Sequence, residues 1–339
     1  MGVDLSDVVP KAPRKLEDFQ GKVIAIDAYN ALYQFLSSIR QPDGTPLKDR
    51  RGNVTSHLSG LLYRTANLAE SGIRPVYVFD GKPPELKRAT IEERKERKVK
   101  AQAELDEAIA EGDQERAFTK AAQTSYLSPE MVGEAKRLLD ALGVPWVQAP
   151  GEGEAQAAHM AAKGDAWAAS SQDFDALLFG APRLVRNMAV TGKRKLPGKS
   201  IWVDVEPELI ELPAVLEEMK LTREQLVNVG ILVGTDFDPG VKGVGPKRAV
   251  KLVKDAPSLT DVLAKLEADI PYADQIRDIF LKPDVTDDYS LKFGEVDEPA
   301  VKGLLCADHD FSEDRVKSTF PRFAKLKEAM KQRSLDAFF

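Results

Sequence analysis

The sequence is poor in the residues that form disulfides and soft-metal sites. Its 339 residues include one cysteine, Cys306, and three histidines, His57, His159 and His309. A single cysteine forms no internal disulfide and no thiolate cluster for zinc or for iron and sulfur, so we expect Cys306 to be a buried, inert thiol. No grouping of Ser, His and Asp or of Cys and His points to a nucleophilic triad.

Long apolar runs are also missing. No uninterrupted stretch reaches the roughly 18 apolar residues that a membrane span needs, and residues 1–22 lack the pattern of a secretory signal. We therefore expect an intracellular protein that is not embedded in a membrane. The net charge of −6 argues against a nucleic-acid partner unless the acids are concentrated at a cation site and basic stretches lie elsewhere.

The sequence does contain a repeated pattern of short apolar runs that end in aspartate. The apolar run in KVIAIDA leads to Asp27, the run in RPVYVFDG leads to Asp80, and the weaker run in AWAASSQDFD leads to Asp173 and Asp175. Helical patterns separate these runs, which predicts an α/β fold with a mostly parallel central sheet flanked by helices. The carboxyl ends of parallel strands meet at one edge, so we expect these aspartates to lie together.

A fourth predicted strand, VPWVQAP, runs into GEGEAQA and brings Glu152 and Glu154 to the same edge. Taken alone, the two glutamates fit a helix start, where acids meet the helix dipole favourably, and an aspartate after a strand is usually a turn former or a cap. Six such acids together repel one another unless cations compensate them. Carboxylate oxygens suit Mg²⁺, and two such ions with an activated water form a phosphoryl-transfer site.

The segment DFDPGVKGVGPKRAVKLV, which begins at Asp236, is a candidate phosphate site. Glycines permit close approach of the backbone, Pro246 marks a helix start, and exposed N–H groups with basic side chains bind phosphate. A plain connection between two helices is the alternative. The carbonyl groups of this loop are also candidates for holding a monovalent cation.

The charged segment GKPPELKRATIEERKERKVK directly follows Asp80. Lys87 and Arg94 are two helical turns apart and therefore share a face. We expect them to steer a phosphodiester toward the metal site and to stabilise developing charge, although such charged runs are more often solvated surfaces.

Together these segments resemble the structure-specific 5′ nuclease family, and its flap endonuclease branch closely. The similarity extends over nearly the whole chain, through MGV, AIDAYNALYQFL, TSHLSGLLYRT, PVYVFDGKPPELK, APGEGEAQAA, SSQDFDALLFG, LVGTDFDPGVKGVGPKRAV and QRSLDAFF. The resemblance implies a Mg²⁺-dependent 5′ flap endonuclease with 5′–3′ exonuclease activity that acts in DNA replication and base-excision repair. Because the basic extension of eukaryotic relatives does not follow the last peptide, we expect an archaeal-type protein, and a cytoplasmic location if it is archaeal.

The resemblance also assigns roles to individual residues. Two Mg²⁺ ions per subunit would be held by Asp27, Asp80, Glu152, Glu154, Asp173, Asp175 and Asp236. Lys87 and Arg94, on a gateway helix, would contact the scissile phosphate, and Tyr33 would stack on a base beside it. Further DNA contacts would come from Arg40, Arg64, Glu152, Gly234, Asp236, Gly243, Gly245, Lys247 and Arg248. The glycine loop would form a helix-two-turn-helix element that holds K⁺.

The implied organisation has five parts. The nuclease core comprises residues 1–98, with the gateway helix, and 126–258, with the helix-two-turn-helix element, and a helical arch at 99–125 interrupts it. A helical region follows at 259–330, and a flexible peptide at 331–339 would bind a sliding clamp. The clamp contacts would be Gln332, Leu335, Phe338 and Phe339. We expect a monomer whose partners are this clamp and branched DNA with a 5′ flap.

Three alternatives remain open on the sequence. A long-resection 5′ exonuclease is disfavoured because such relatives usually carry long C-terminal extensions. A catalytically silent clamp-bound adaptor is disfavoured because every expected metal ligand is present. A PIN-like ribonuclease has a similar acidic sheet edge, but it has no need for the glycine loop with its helix pair or for the clamp peptide.

Overall fold

A computed structural model of the chain describes residues 2–41, 44–113, 116, 119–120, 124–188, 192–195 and 202–326. Its centre is a sheet of seven strands in the order β1-β9-β6-β5-β2-β3-β4. The strands of this sheet are β1 Ala12–Pro13, β2 Val23–Asp27, β3 Arg74–Phe79, β4 Trp146–Gln148, β5 Ala168–Ser170, β6 Arg183–Arg186 and β9 Glu208–Glu211. Between the last two, β7 Gly192–Lys195 and β8 Trp202–Val205 form a separate two-stranded ribbon.

The five central strands are parallel, as the sequence predicts. β2 pairs with β3 on one side and with β5 on the other, and β4 and β6 extend the sheet outward in the same direction. β2 reads VIAID and is buried along its whole length, which is typical of a parallel strand covered on both faces. β9 and β1 add an antiparallel edge that the sequence analysis did not predict.

Helices cover the sheet and extend the chain beyond it. In chain order they are α1 Ala28–Ser38, α2 Ser56–Glu70, α3 Arg88–Ala110, α4 Pro129–Ala141, α5 Gly153–Lys163, α6 Asp175–Leu178, α7 Leu212–Met219, α8 Arg223–Val233, α9 Pro246–Lys254, α10 Leu259–Lys265, α11 Ala273–Leu281, α12 Glu298–Lys302 and α13 Glu313–Lys317. Short 3₁₀ turns lie at Leu16–Phe19 and Glu85–Lys87, a π-helical turn lies at Gly303–Ala307, and a last helix covers 320–326.

Three helices that cover the sheet begin at residues whose local contacts favour a helix start. α1 starts directly after Asp27, whose side chain accepts a hydrogen bond from the N–H of Asn30. α4 starts with Ser128 as its N-cap and a proline in the first turn, a combination that favours a helix start. α5 packs across β2, β3 and β5, so its first turn lies at the carboxyl edge of the sheet.

Two sequence expectations need correction. The third aspartate run predicted a strand over residues 166–175, but the strand is limited to Ala168–Ser170, and the bend that follows carries Asp173 away from it. Cys306 is half-buried rather than buried. Burial nevertheless raises the pKa of its thiol, which agrees with an inert side chain.

Other expectations remain predictions. α3 runs without interruption across residues 98 and 99, where the sequence analysis divides core from arch. The clamp peptide at 331–339, with Gln332, Leu335, Phe338 and Phe339, lies outside the described residues. Among the described helices, none has both the length and the apolar character that crossing a membrane requires.

Candidate active site

Four acids lie where strands β2, β3 and β4 end. Asp27 is the last residue of β2, and Asp80 directly follows β3. After β4, the chain enters α5 with Glu152 as its N-cap and Glu154 in its first turn. The Oδ1 atom of Asp80 accepts a 2.6 Å hydrogen bond from the N–H of Gly153. This hydrogen bond joins the carboxyl end of β3 directly to the start of α5.

Gly153 is required at this position because the backbone and the carboxylate approach too closely for a side chain. A Cβ atom there would lie 2.7 Å from Oδ1 of Asp80 and 3.2 Å from the carbonyl oxygen of Val78. The glycine that separates the two glutamates in GEGEA therefore has a structural reason. Its N–H group at the helix start also supplies a donor to an acid of the site.

Two further acids follow β5. Asp173 lies in the bend after the strand, and its N–H donates to Oγ of Ser171 at 3.3 Å. Asp175 begins α6 and is buried. Its Oδ1 atom accepts a hydrogen bond from the N–H of Val3 at 2.8 Å, which holds the N-terminal segment against this carboxylate.

Asp236 and Lys87 complete the cluster. Asp236 lies in the loop after α8 and is 9% exposed. The Nζ atom of Lys87 pairs with Oε2 of Glu152 and lies 3.3 Å from Oδ2 of Asp236. These two acids, 84 positions apart in the sequence, therefore share one ammonium group.

The acids lie close enough to perturb one another. Burial, reinforced by the charges of Asp80 and Asp173, raises the pKa of Asp27 well above its usual range. Burial and the charges of Asp175, Asp27 and Asp173 do the same for the pKa of Glu154. Desolvation disfavours the charged form of a carboxyl group, and a second negative charge adds to that effect. Bound cations would therefore stabilise the ionised form of these carboxyl groups.

The pKa values of Asp80 and Asp175 are raised as well. Burial and the charge of Glu152 raise the pKa of Asp80 to about 6, although Lys87 opposes the shift. Burial raises the pKa of Asp175 to about 7, with the charges of Asp173 and Asp236 acting in the same direction. Conversely, the charges of Glu152 and Asp236 raise the pKa of Lys87, despite its burial.

The donor set fits hard divalent cations. It consists of carboxylate oxygens, and Oε1 of Glu154 is buried without a hydrogen-bond partner, as expected of a ligand atom whose partner is an ion. Within the described residues, no group of three or more His, Cys, Asp or Glu is already gathered as the ligand set of one ion. Lys87 instead neutralises part of the cluster.

Tyr33 and Arg40, two of the side chains predicted to contact DNA, have the following contacts. Tyr33 lies on α1 and is 36% exposed, and the Nζ atom of Lys98 lies 5.0 Å from the centre of its ring. Arg40 donates to the carbonyl of Gly44 at 2.8 Å and to Oγ of Ser125 at 2.7 Å.

Arg64 and Arg94 are two further basic residues that are predicted to contact DNA. Arg64 lies on α2, and burial lowers the pKa of its guanidinium. Arg94 lies on α3, and only its backbone is described. Lys87 is in the 3₁₀ turn Glu85–Lys87, and α3 begins one residue later. The expected spacing of two α-helical turns between Lys87 and Arg94 therefore does not apply, because Lys87 is not part of the α-helix.

The predicted glycine loop connects α8 to α9. Gly234, with φ 111°, ends α8, and a Cβ atom there would lie 2.5 Å from the carbonyl oxygen of Pro239. Gly245 is the N-cap of α9, which begins at Pro246 as expected. The first turn of α9 carries Lys247 and Arg248, both exposed, and Arg248 donates to the carbonyl of Gly243 at 3.1 Å. The loop therefore presents a helix N-terminus and two basic side chains to solvent.

The three histidines lie outside the carboxylate cluster, as the sequence analysis expects. His57 and His309 are each 3.2 Å from a different oxygen of Glu134, and His309 also lies 3.1 Å from Oδ2 of Asp49. His159 is paired with the exposed Asp287. These contacts fasten α2, α4 and the segment around residue 309 to one another, away from the strand ends.

Comparison with known proteins identifies the family. Residues 4–101 match the XPG N-terminal domain and residues 143–236 match the XPG I-region. Flap endonuclease 1 of Pyrococcus abyssi is 53% identical over 343 residues, which span 100% of this chain and 98% of that protein. This chain belongs to the flap endonuclease family. Flap endonuclease 1 of Aeropyrum pernix is also 53% identical, with 100% of both chains covered.

Solved structures agree with this family assignment. Flap endonuclease-1 from Methanococcus jannaschii superposes with a TM-score of 0.78 at 45% identity, over 96% of this chain and 99% of that one. The catalytic core of Rad2 in complex with a DNA substrate superposes with a TM-score of 0.67 at 22% identity, over 92% of this chain and 96% of that one. The second match shows a shared fold. As a flap endonuclease, the chain is a nuclease that uses divalent metal ions.

Some residues of the site were not accessible to reasoning from strand ends alone. Asp236 follows a helix, so only the family resemblance suggested it. Val3 and Ser171 reach the site through a backbone N–H and a hydroxyl group, which leave no sequence pattern. The glycine between Glu152 and Glu154 was a visible signal for a close backbone approach.

Proposed function

We propose that this flap endonuclease removes displaced 5′ strands by hydrolysing the phosphodiester near the junction between the flap and the duplex, and that it also has 5′–3′ exonuclease activity. Lagging-strand replication and base-excision repair produce such strands. One observation carries the proposal: acids from five separate parts of the chain, each buried or partly buried, lie at one sheet edge beside Lys87. The 53% sequence identity to two flap endonucleases, over the whole of this chain, supports the proposal.

We propose that two Mg²⁺ ions are held at this edge. The ligands would be Asp27, Asp80, Glu152, Glu154, Asp173, Asp175 and Asp236. Divalent cations supply activation of water and neutralisation of the phosphodiester charge. Glu154 is the more direct ligand in this proposal because its Oε1 atom is buried and has no hydrogen-bond partner, whereas Glu152 is already engaged by Lys87 and acts partly through water.

Lys87 and Arg94 are proposed to contact the scissile phosphate. Lys87 now lies against two acids, and metal ions held by those acids would compete with it. The ammonium group is then available to a phosphate oxygen, where it stabilises developing negative charge. Tyr33 would stack on a base beside the scissile phosphate.

The remaining contacts hold the duplex through its backbone. The N-terminus of α9, with Gly243, Gly245, Lys247 and Arg248, is suited to binding phosphate without regard to sequence. A K⁺ ion at the carbonyl groups of this loop belongs to the same proposal. Arg40, Arg64 and the backbone at Gly234, with Glu152 and Asp236 nearer the metals, complete the DNA surface.

We further propose a five-part organisation and a clamp contact. The core would comprise residues 1–98 and 126–258, the arch 99–125, the C-terminal helices 259–330 and the clamp peptide 331–339. The monomer would bind a sliding clamp through Gln332, Leu335, Phe338 and Phe339, since an apolar plug on a short peptide suits a preformed groove. Replacing both phenylalanines with Ala should abolish clamp stimulation and leave basal cutting unchanged, and an equal loss of basal cutting would contradict this role.

The central test is cleavage of labelled DNA in Mg²⁺ or in EDTA. A double-flap substrate should be cut at one position near the junction in Mg²⁺, and EDTA should abolish the product. Single strands and blunt duplexes of the same sequence should be cut far more slowly. Equal cutting of the single strand would contradict structure specificity.

A further inference from the structure

Exposed apolar side chains of large size are rare in the described part of the chain, and two of the four, Tyr33 and Tyr126, contact the same lysine. Tyr33 is 36% exposed, Tyr126 is 61% exposed and Val99 is 71% exposed. The fourth, Tyr272, precedes α11 in the C-terminal half. A large aromatic ring that remains in water loses the burial energy available to it, so such a cluster indicates a surface that a ligand covers.

Lys98 brings Tyr33 and Tyr126 into one arrangement. Its Nζ atom lies 5.0 Å from the ring centre of Tyr33 and 5.8 Å from that of Tyr126. Lys98 is on α3, Tyr33 is on α1, and Tyr126 precedes α4. Two aromatic rings from different elements therefore share one ammonium group.

Tyr126 is held firmly although its ring is exposed. The preceding residue, Ser125, accepts a 2.7 Å hydrogen bond from Arg40. The next residue, Leu127, is 7% exposed and belongs to the core, and Ser128 caps α4. The backbone is therefore anchored on both sides of Tyr126, which limits where its exposed ring can lie and favours contact with a planar ligand.

The position of this surface relates it to the acidic edge. Tyr33 is six residues after Asp27 on the helix that begins there, which corresponds to about 9 Å along the axis at 1.5 Å per residue. Any strand that reaches the carboxylate cluster past α1 therefore passes close to these rings.

We propose that Tyr126, together with Tyr33 and Lys98, forms a stacking site for unpaired nucleobases of the displaced 5′ strand. This inference rests on the proposed function and deepens it. Aromatic rings bind bases of any identity through their faces, and a cation between them pairs with the phosphate that links the bases. Tyr126 is thus a positioning residue for the flap, additional to the residues that the family resemblance assigns.

The ammonium of Lys98 and a base compete for the same ring faces. Lys98 is half-buried, and stacking of a base on a tyrosine ring contributes at least as much as a cation over that ring. The strand also brings a phosphate, which is a better partner for the ammonium than a ring is. Binding of a single strand should therefore exchange both cation–ring contacts for one ion pair and two stacked bases.

The inference is tested with 2-aminopurine placed in the flap, because stacking on tyrosine quenches its fluorescence. Wild-type protein should quench the probe when it binds the flap in Ca²⁺, and Tyr126→Phe should quench equally. Tyr126→Leu, which keeps apolar bulk but has no ring, should lose the quenching. Tyr272→Leu, at an equally exposed tyrosine, should behave as wild type. Unchanged quenching in Tyr126→Leu would overturn the proposal.

Kinetics provide an independent measurement. Loss of one stacked base should raise KM for a flap substrate by about 5- to 30-fold in Tyr126→Leu, with kcat reduced less. KM for a nicked duplex without a flap should stay within about 2-fold of wild type, which a general structural defect would not produce. Equal increases for both substrates would refute the stacking role. Failure of the wild-type protein to cut any flap would instead refute the proposed function.

Discussion

The backbone N–H of Val3 donates a hydrogen bond of 2.8 Å to Oδ1 of Asp175, a residue 172 positions further along the chain. The preceding residue, Gly2, is equally close to the site. A Cβ atom on Gly2 would lie 2.5 Å from Oδ2 of Asp175 and 2.7 Å from Cβ of Asp173. The N-terminal segment is therefore part of the wall of the carboxylate cluster.

Gly2→Ala should reduce cleavage by about 10-fold or more, because a displacement of about 1 Å in a catalytic group has an effect of this order. DNA binding in Ca²⁺ should be nearly unchanged, since the methyl group meets carboxylates rather than the DNA surface. The measurement is single-turnover cleavage of a double flap, together with a binding titration.

Gly133→Ala is the matched control for this change. Gly133 lies within α4, and a Cβ atom there would meet nothing within 4 Å. The variant should cleave as wild type and gain about 0.5–1 kcal/mol in the free energy of unfolding. Full activity of Gly2→Ala would show that the N-terminal segment can move aside without cost.

Asp175→Asn should keep DNA binding and lose cleavage by several orders of magnitude. The amide has nearly the same shape as the carboxylate but carries no charge for a divalent cation. Asp278→Asn is a suitable control, because Asp278 lies on the exposed side of α11 and pairs with Lys282. Turnover near the wild-type rate in Asp175→Asn would contradict the proposed ligand set.

The metal-free protein should become less stable as the pH rises from about 4 to about 7. Asp175 holds its proton up to about pH 7 in the folded state, against an ordinary pKa of 3.8. Between these values the folded state binds more protons than the unfolded state, so the free energy of unfolding falls as the pH rises. The contribution is fully present below pH 3.8 and is lost above about pH 7.

Thermal or urea unfolding in EDTA at a series of pH values measures this dependence. One titrating carboxyl group contributes a slope of up to about 1.4 kcal/mol per pH unit, and Asp175→Asn should remove that contribution. Mg²⁺ should flatten the same dependence, because it binds the charged form. A free energy of unfolding in EDTA that rises with pH throughout this range would contradict the prediction.

Lys87→Gln should destabilise the metal-free protein and slow cleavage by about 100-fold or more. Its side chain is 13% exposed and is shared by Glu152 and Asp236, so removing the charge leaves two acids without their cation. Added Mg²⁺ should restore stability but not the cleavage rate, which separates the two roles.

Lys163→Gln provides the comparison for this lysine. Lys163 pairs with Asp165 and Asp287 at the surface and is 44% exposed. Its loss should change the free energy of unfolding by less than about 1 kcal/mol and should leave cleavage unaffected. If Mg²⁺ also restored the cleavage rate of Lys87→Gln, Lys87 would stabilise the folded protein but would have no role in cleavage.

The sequence predicts the parallel centre of the fold and the meeting of the acids at its edge, because both follow from simple periodic patterns. β-branched runs followed by acids locate the carboxyl ends of β2, β3 and β4, and the parallel order then brings Asp27, Asp80 and the start of α5 together. Glycines and a proline likewise locate the start of α9 correctly.

Features that depend on contacts distant in the sequence were not predictable in the same way. The antiparallel edge formed by β1 and β9 uses short strands that gain their pairing from β6 rather than from their own composition. The hydrogen bond from Val3 to Asp175 uses a main-chain group, which every residue type except proline possesses. Lys87 could be assigned to a basic face, but its pairing with two acids required the structure.

The sheet order has a consequence for the synthesis of the protein. β2 and β3 lie between β5 and β4, so strands from the first 80 residues are flanked by strands made much later, and Asp236 arrives last. A growing chain on the ribosome therefore holds no complete acidic cluster until residue 236 has emerged. Every chain shorter than 236 residues therefore lacks at least one acid of the proposed metal site.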